Sequence, residues 1–443
     1  MDHGHLSMVV DTFQWVFAAS LLNACGKDVK FCRRQRVITP FRLGLALTAT
    51  CASQRVETIA DFHCGFKALF GTTVTSKAFY QQVAKPHCAD FARTMTERLV
   101  RDMTLQVLGF AKGHACAELR PIVMQDGSAF ALHDGWREVF PGRFKVVKPA
   151  AVALHPTRDL RCDAPTTVGL TPDTTAAQAF LPEPASLRAS VLLADRGSVD
   201  VHYLRRVQDA SGFLLIRAKA GMHPYVVEAF RADGTRRRAL RHKPLQAIHA
   251  QLPKRQRVEL VVRWQVDARP LCLRLLISWK RQTQACCSVV PTLPATRSPL
   301  AMICRAYTWR WHVELLCKEW QSYATLQAFD PTNPAIVEGL MWAAIAAAAL
   351  KRFLAPRTPL LVAVPMSTRK VAMCAVHVFG GIVQALKTGD MAGLSDALEA
   401  AMTYLAGHAQ RAHPKRDRQT GRAQLGLDPR FGSDDVVEFA EAA

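Results

Sequence analysis

Acidic residues are scarce in this chain of 443 residues: 36 Asp and Glu stand against 57 Lys and Arg, a net charge of +21. A surplus that large calls for a polyanionic partner, nucleic acid first, and argues against a merely soluble basic protein. Ordered cysteine spacing is also missing. The 13 cysteines include no CxxC pair, Cys286 and Cys287 are adjacent, and His63-Cys64 and His87-Cys88 lack zinc-finger spacing. Such a set reads as reduced thiols, several in the core, in a cytoplasmic, nucleoid-associated protein. Long apolar runs are lacking: the longest, Gly339 to Leu350, has 12 residues, short of the ~18–20 that span a bilayer. It reads as a buried Ala-rich helix, and no membrane partner is expected. The stretch from Met8 to Leu22 is interrupted by Asp11 and is not expected to act as a signal peptide. No phosphate-cradling P-loop, Ser-His-Asp hydrolase arrangement or internal repeat is present.

What remains is a chain that is 49% hydrophobic, long enough for two or three domains. Residues 1–115 read as a helical N-terminal domain, suited to DNA binding or to plain packing. Thr39-Pro40 is a good helix start, and further helices are expected over Ser53 to Leu69 and Ser76 to Leu108. Arg33, Arg34 and Arg36 form a basic cluster ahead of the first of these. From Pro121 the texture changes. Short apolar strands are expected at Ile122-Val123-Met124, Ala150 to Leu154, Thr166 to Leu170, Val191 to Ala194 and Phe213 to Ile216, with a helix over Val201 to Asp209. This alternation predicts a mixed α/β sheet, and ligands usually bind at strand ends in such sheets.

Residues 221–300 differ again. Between 231 and 257 lie nine Lys or Arg against one acid, Asp233, a local net of +8. Arg236, Arg237, Arg238, Arg241, Lys243, Lys254, Arg255 and Arg257 make a stretch suited to tracking a DNA backbone. Two period-two apolar runs follow, Val258 to Val266 and Leu271 to Trp279, around a turn at Asp267 to Pro270, which predicts a β-hairpin. The segment reads as a β-rich basic insertion. Beyond it come a helix carrying Glu314, an Ala-rich helix over Ala335 to Leu354, and a C-terminal region, 356–443, with one helix over Leu394 to Leu405 and a loose tail.

Two acids end apolar strands: Asp126, in Gln125-Asp126-Gly127-Ser128, and Asp195, in Ala194-Asp195-Arg196-Gly197. Glu314 rides a helix on which Tyr307, Arg310, Glu314, Lys318 and Gln321 share one stripe, while Trp309, Val313, Leu316 and Trp320 form the opposite, buried face. Three converging carboxylates repel by roughly 4 kcal/mol per pair at 4 Å unless a counter-charge intervenes. A divalent cation removes that penalty, and hard oxygen ligands suit Mg²⁺, two ions being expected, with Mn²⁺ as the alternative. Such a centre performs in-line phosphoryl transfer. His133 and His202 lie near the first two acids in sequence and read as outer groups or ordinary structural histidines.

These three ordered motifs, with Tyr307-x-x-Arg310-x-x-x-Glu314, resemble the DDE transposases of bacterial insertion sequences. More narrowly they resemble the insertion-sequence-four family with its Tyr-Arg-Glu-Lys signature. The resemblance runs from about Pro121 to Leu354. It implies a ribonuclease H-like mixed sheet, formed by residues 116–220 and 301–355, interrupted by the β-rich insertion 221–300 before the last catalytic helix. It further implies that Asp126, Asp195 and Glu314 are the catalytic, metal-binding triad and that Tyr307 and Arg310 contact phosphate. Double-stranded DNA, both element ends and target, is the implied partner of a homodimer. The implied reaction is cleavage at terminal inverted repeats and joining of the 3′-ends to target DNA.

Two positions depart from the pattern. Gln321 stands where the signature lysine belongs, with Lys318 one turn earlier on the same stripe, and Ser198 stands where relatives carry an aromatic residue. Trp264 and Trp279 are the insertion's candidates for stacking on a flipped base, although both lie on the apolar side of their strands. A structure-selective nuclease with the same core, and a DNA-binding repressor weakened in catalysis, are the alternative readings.

Overall fold

The computed structural model describes residues 3–32, 36–53, 56, 58–103, 122–160, 164–195, 200–218, 224–231, 234–248, 251–252, 258–279, 286–292, 307, 309–323, 333–355, 357–358 and 366–411. Six helices come first: α1 (His3–Val16), α2 (Ala19–Asp28), α3 (Pro40–Ser53), α4 (Ile59–Phe70), α5 (Ser76–Val83) and α6 (Pro86–Asp102). Thr39 caps α3 as expected, its hydroxyl accepting from the Arg42 N–H at 3.2 Å. The helix expected from Ser53 instead begins at Ile59, where Thr58 and Asp61 form a capping box. The long helix expected over 76–108 is two, because Pro86 cannot continue α5 and instead opens α6. Residues 104–108 lie outside the described part.

Ten strands form one sheet in the order β2-β3-β1-β5-β6-β10-β9-β8-β7, with β4 on the free side of β3. They are β1 (Ile122–Gln125), β2 (Ser128–Ala131), β3 (Ala151–Asp159), β4 (Ala164–Pro172), β5 (Val191–Ala194), β6 (Phe213–Arg217), β7 (Tyr225–Phe230), β8 (Val258–Val266), β9 (Arg269–Trp279) and β10 (Cys286–Pro291). Among the described residues, only β1 with β5 and β5 with β6 pair in parallel. Parallel neighbours need a crossover, and α7 (Val201–Asp209), capped by Asp200, supplies it between β5 and β6. β8 and β9 make the expected hairpin, but its turn is the pair Asp267-Ala268, both at positive φ (49° and 61°). That geometry follows the right-handed twist of the strands. The insertion's last strand, β10, pairs with β6, so the sheet runs unbroken from the core into the hairpin.

After the short α8 (Leu245–Ile248), the chain continues through α9 (Trp311–Tyr323) and α10 (Pro334–Leu354). The carboxamide of Asn333 caps α10, accepting from the N–H groups of Ala335 and Ile336. α10 packs on α3 and α6 and is apolar on nearly every face up to Leu350, as a largely buried helix must be, with Lys351 and Arg352 in its last turn. Leu6–Asp28 and α10 are each long and apolar enough to cross a membrane by length and composition, with 39% and 78% of their apolar windows buried inside the protein. The 12-residue run is thus the centre of a longer apolar helix. Among the described residues the C-terminal region shows three α-helices where one was expected: α11 (Thr368–Cys374), α12 (Phe379–Thr388) and α13 (Met391–His408).

Three apolar clusters organise the molecule. The largest joins α1–α6, α10 and α11–α13 with one face of β2 and β3. A second fills the space between α7 and the hairpin. The third and smallest seals β1, β5 and β6 against Trp309 and Val313 at the start of α9.

Candidate active site

The site begins with backbone register. Because β1 and β5 are parallel, with Gln125 opposite Ala194, the chain leaves both strands at the same edge of the sheet. Asp126 and Asp195 are the next residues, side by side across strands spaced ~4.8 Å apart. Both strands are buried, so the two carboxylates are carried to the rim by apolar residues that have no alternative position.

α9 brings the third acid. Val313, Leu316 and Trp320 are buried, as the helical period requires, and α9 packs on β1, β2 and β3. The regular helix starts at Trp311, so Arg310 lies in the turn before it rather than within the expected stripe. Arg310 Nη1 donates to Asp126 Oδ2 at 2.6 Å, and Nη2 lies 3.7 Å from Glu314 Oε2. One guanidinium therefore touches both carboxylates. Tyr307 donates its hydroxyl to Asp195 Oδ1 at 3.3 Å, and Lys318 Nζ lies 3.1 Å from Glu314 Oε1. Arg310 and Lys318 thus join Asp126 and Glu314 in one chain of ion pairs, and the Tyr307–Asp195 pair is coupled to it through charge.

Its electrostatics are strained toward excess negative charge. Burial pushes the Asp126 carboxyl above its usual range and the Asp195 charge adds to the push, while Arg310 and the Gly127 N–H oppose it. Burial works against the Arg310 cation, but Asp126, Tyr307 and Asp195 more than hold it up. Cys317, buried just behind, has its thiol pushed well up by burial and by Asp126 and Glu314, so it stays protonated and unreactive.

Among the described residues, no three His, Cys, Asp or Glu side chains are gathered tightly enough to hold a metal ion as they stand. Arg310 supplies the counter-charge between Asp126 and Glu314 instead. The donor chemistry nonetheless fits a hard divalent cation: the acids are oxygen donors only, and the mutual repulsion of Asp126 and Asp195 is what a cation relieves.

Other expected residues fall elsewhere. Arg236, Arg238 and Arg241 are exposed beside β7 and Arg237 is partly covered; Arg236 lies 3.9 Å from Glu228, and Arg241 donates to the Val227 carbonyl. Lys254, Arg255 and the Ser198 position lie outside the described residues, as does the side chain of Trp279. Trp264 is buried in the second apolar cluster and is a core residue. His133 accepts from the Gly135 N–H in a turn, and His202 lies 3.5 Å from Asp267 at the hairpin tip. Gln321, noted from sequence only for not being lysine, donates to Ser128 Oγ at 2.8 Å. Nothing in the sequence signals that tie between residues 193 positions apart.

Residues 143–350 match the family model described as "Transposase DDE domain". The matched stretch contains Asp195, Tyr307, Arg310 and Glu314, and it begins after Asp126. Among solved structures the chain is similar to the piggyBac transposase in its synaptic complex with hairpin DNA. That similarity has 8% identity and a TM-score of 0.45, over 93% of this chain and 89% of the other. No curated protein matches the chain.

Proposed function

We propose that this chain is a DDE transposase of the insertion-sequence-four type, which cleaves DNA at terminal inverted repeats and joins the 3′-ends to target DNA. The observation that carries the reading is the parallel register of β1 and β5, which delivers Asp126 and Asp195 to one edge, where Arg310 ties Asp126 to Glu314. The parallel trio β1-β5-β6 flanked by antiparallel β3 and β4 supports a ribonuclease H-like core. The transposase DDE domain match supports the same assignment over residues 143–350.

Asp126, Asp195 and Glu314 would hold the cation, Mg²⁺ by donor chemistry, which when bound activates the attacking oxygen and steadies the departing one. The chain's own residues do the rest. Tyr307 orients the Asp195 carboxylate through its hydroxyl. Arg310 neutralises Asp126 in the resting protein and, once Asp126 has another positive partner, is the nearest fork for a DNA phosphate. Lys318 holds Glu314 from the solvent side. The exposed arginines at 236, 238 and 241 would bind the flanking backbone, with affinity falling steeply as salt rises. Joining two ends implies at least a dimer on DNA.

A second reading, a DNA-binding repressor weakened in catalysis, draws on one observation: Gln321 is tied to Ser128 and brings no cation. Incubating the protein with Mg²⁺ and labelled DNA carrying the element ends separates the readings. Nicked and joined products, lost with Asp126→Asn, support transposition; nicking without joining supports a nuclease; binding alone supports the repressor.

A further inference from the structure

The turn linking Pro141 to Ala150 sets exposed apolar and basic residues on a closed base. Its sequence, Pro141-Gly142-Arg143-Phe144-Lys145-Val146-Val147-Lys148-Pro149, holds three cations, three large apolar residues and no acid. Its base is closed. Pro141 bridges Ala150, the Gly142 N–H donates to the Pro149 carbonyl at 2.9 Å, and a Cβ on Gly142 would meet the Lys148 carbonyl oxygen at 1.9 Å. The Arg143 N–H and guanidinium both donate to Asp173, and the Phe144 carbonyl accepts from the N–H groups of Val147 and Lys148 at 3.1 and 2.7 Å.

The apolar side chains of this fixed turn are nonetheless left in solvent. Phe144 is 63% exposed, Val146 95% and Val147 79%. Of the eleven large hydrophobics exposed among the described residues, three sit within these four positions, a cluster rather than the scatter of single residues that any surface shows. Folding gains nothing from it, so the tip is shaped for a partner.

The charges say which partner. Arg143, Lys145 and Lys148 flank the apolar tip, all exposed; the turn itself holds no acid, and Asp173 lies 3.9 Å from the Arg143 guanidinium at its base, leaving Lys145 and Lys148 as its outer cations. A second copy of a chain carrying +21 is repelled from such a surface; a polyanion is drawn to it. We propose that this turn is a DNA wedge. Phe144 and Val147 enter between base pairs and unstack them, while Arg143, Lys145 and Lys148 hold the neighbouring phosphates. The wedge also has a fixed relation to the acids. Ser128, bonded to Gln321 beside the site, opens β2, and Ala131 closes it one pair from the turn's base. β2 thus sets ~10 Å of strand between the edge of the site and the base of the turn. This rests on the reading of the chain as a DNA-handling enzyme.

The test uses the full-length protein and two duplexes of one arbitrary sequence. One is fully paired; the other carries a single mismatch beside a 2-aminopurine, whose fluorescence rises on unstacking. A wedge favours the weakened duplex by about tenfold and raises the fluorescence, because part of the unstacking cost is already met. Phe144→Ser with Val147→Ser, both at exposed positions, removes the preference and the signal while paired-duplex affinity stays within about threefold. Phe144→Leu keeps both. Lys145→Gln with Lys148→Gln weakens the two duplexes alike. The wedge is overturned if wild type binds both duplexes equally without a fluorescence rise, or if the Ser variant behaves as wild type. It is also overturned if the Ser variant changes only the mass measured by light scattering, which would make the tip a contact between copies. Failure of wild type to bind either duplex would overturn the DNA reading as a whole along with it.

Discussion

Helix α9 separates two charge clusters that obey different rules. On its β-sheet side three carboxylates, Asp126, Asp195 and Glu314, face two cations, Arg310 and Lys318, and all the ion-paired side chains remain 17–55% exposed. On the side toward α10 and α11, Glu319 meets Arg352 and also accepts from the Thr368 hydroxyl, with Arg352 only 6% exposed. The second cluster is more self-contained: each Glu319 oxygen accepts from a partner in the protein, although the side chain is 20% exposed, and the neighbouring cation, Lys351, is held down by burial to a pKa of about 8. The first is open and left with surplus acid. A structural ion pair satisfies its partners within the protein, whereas a site keeps capacity for something that arrives from outside.

The sharpest way to break this contrast is to neutralise one group on each side. Asp126→Asn or Glu314→Gln is expected to cut strand nicking by roughly 10³-fold or more. Melting temperature should move little, because Arg310 keeps the other carboxylate. Glu319→Gln is expected to do the opposite: nicking per folded molecule persists, while stability falls by about 3 kcal/mol as Arg352 loses its buried partner. Denaturant unfolding of the single variants and of Glu319→Gln with Arg352→Met measures it, the double variant recovering part of the loss. Equal nicking losses on both sides of α9 would erase the distinction.

Much of the open cluster was legible in the sequence because its parts obey local rules. β1, β5 and α7 have the expected residues almost to the position, since a four-residue apolar run closed by an acid has few other solutions in a sheet. The buried face of α9 followed from its period. The closed cluster was not legible. Glu319 and Arg352 lie on different helices, and no pattern in either says which cation meets which acid. The same holds for Gln321 and Ser128. α11, seven residues long, is too short to show a period, and the turn around Phe144 has none. The break at Pro86 is readable, since a proline in mid-helix ends one helix and opens the next.

Lys351 sharpens the contrast through pH. Its folded pKa of about 8 lies below the ordinary value of 10.5, burial being the cause. Below about pH 8 both folded and unfolded chains hold the proton, and the full cost of the buried cation is present. Between about 8 and 10.5 the unfolded state binds more protons, so this contribution to stability improves as pH rises. Lys351→Met should therefore stabilise the protein by up to about 3 kcal/mol at pH 7, and the gain should fade toward pH 10.5 in paired melts. A constant gain across that range would mean that packing, not charge, is the reason.

The smallest expected effect tests whether the open cluster has room for one more cation. Gln321 Nε2 donates to Ser128 Oγ at 2.8 Å, and a lysine there keeps a donor for that hydroxyl while adding a positive charge beside Glu314. An exposed charge contributes only about 0.2–1 kcal/mol, so Gln321→Lys should tighten DNA binding by roughly two- to fivefold at low salt. The advantage should shrink once the screening length falls to about 10 Å near 0.1 M salt. Lys318→Gln is the matched loss. Lys318 lies 3.1 Å from Glu314 and is 55% exposed, so its removal should weaken binding by a similar factor if it now covers the phosphate that residue 321 does not reach. In the double variant the two changes should cancel, as measured by anisotropy across a salt series. A double variant as weak as Lys318→Gln alone would show that a lysine at 321 does not reach the phosphate that Lys318 covers.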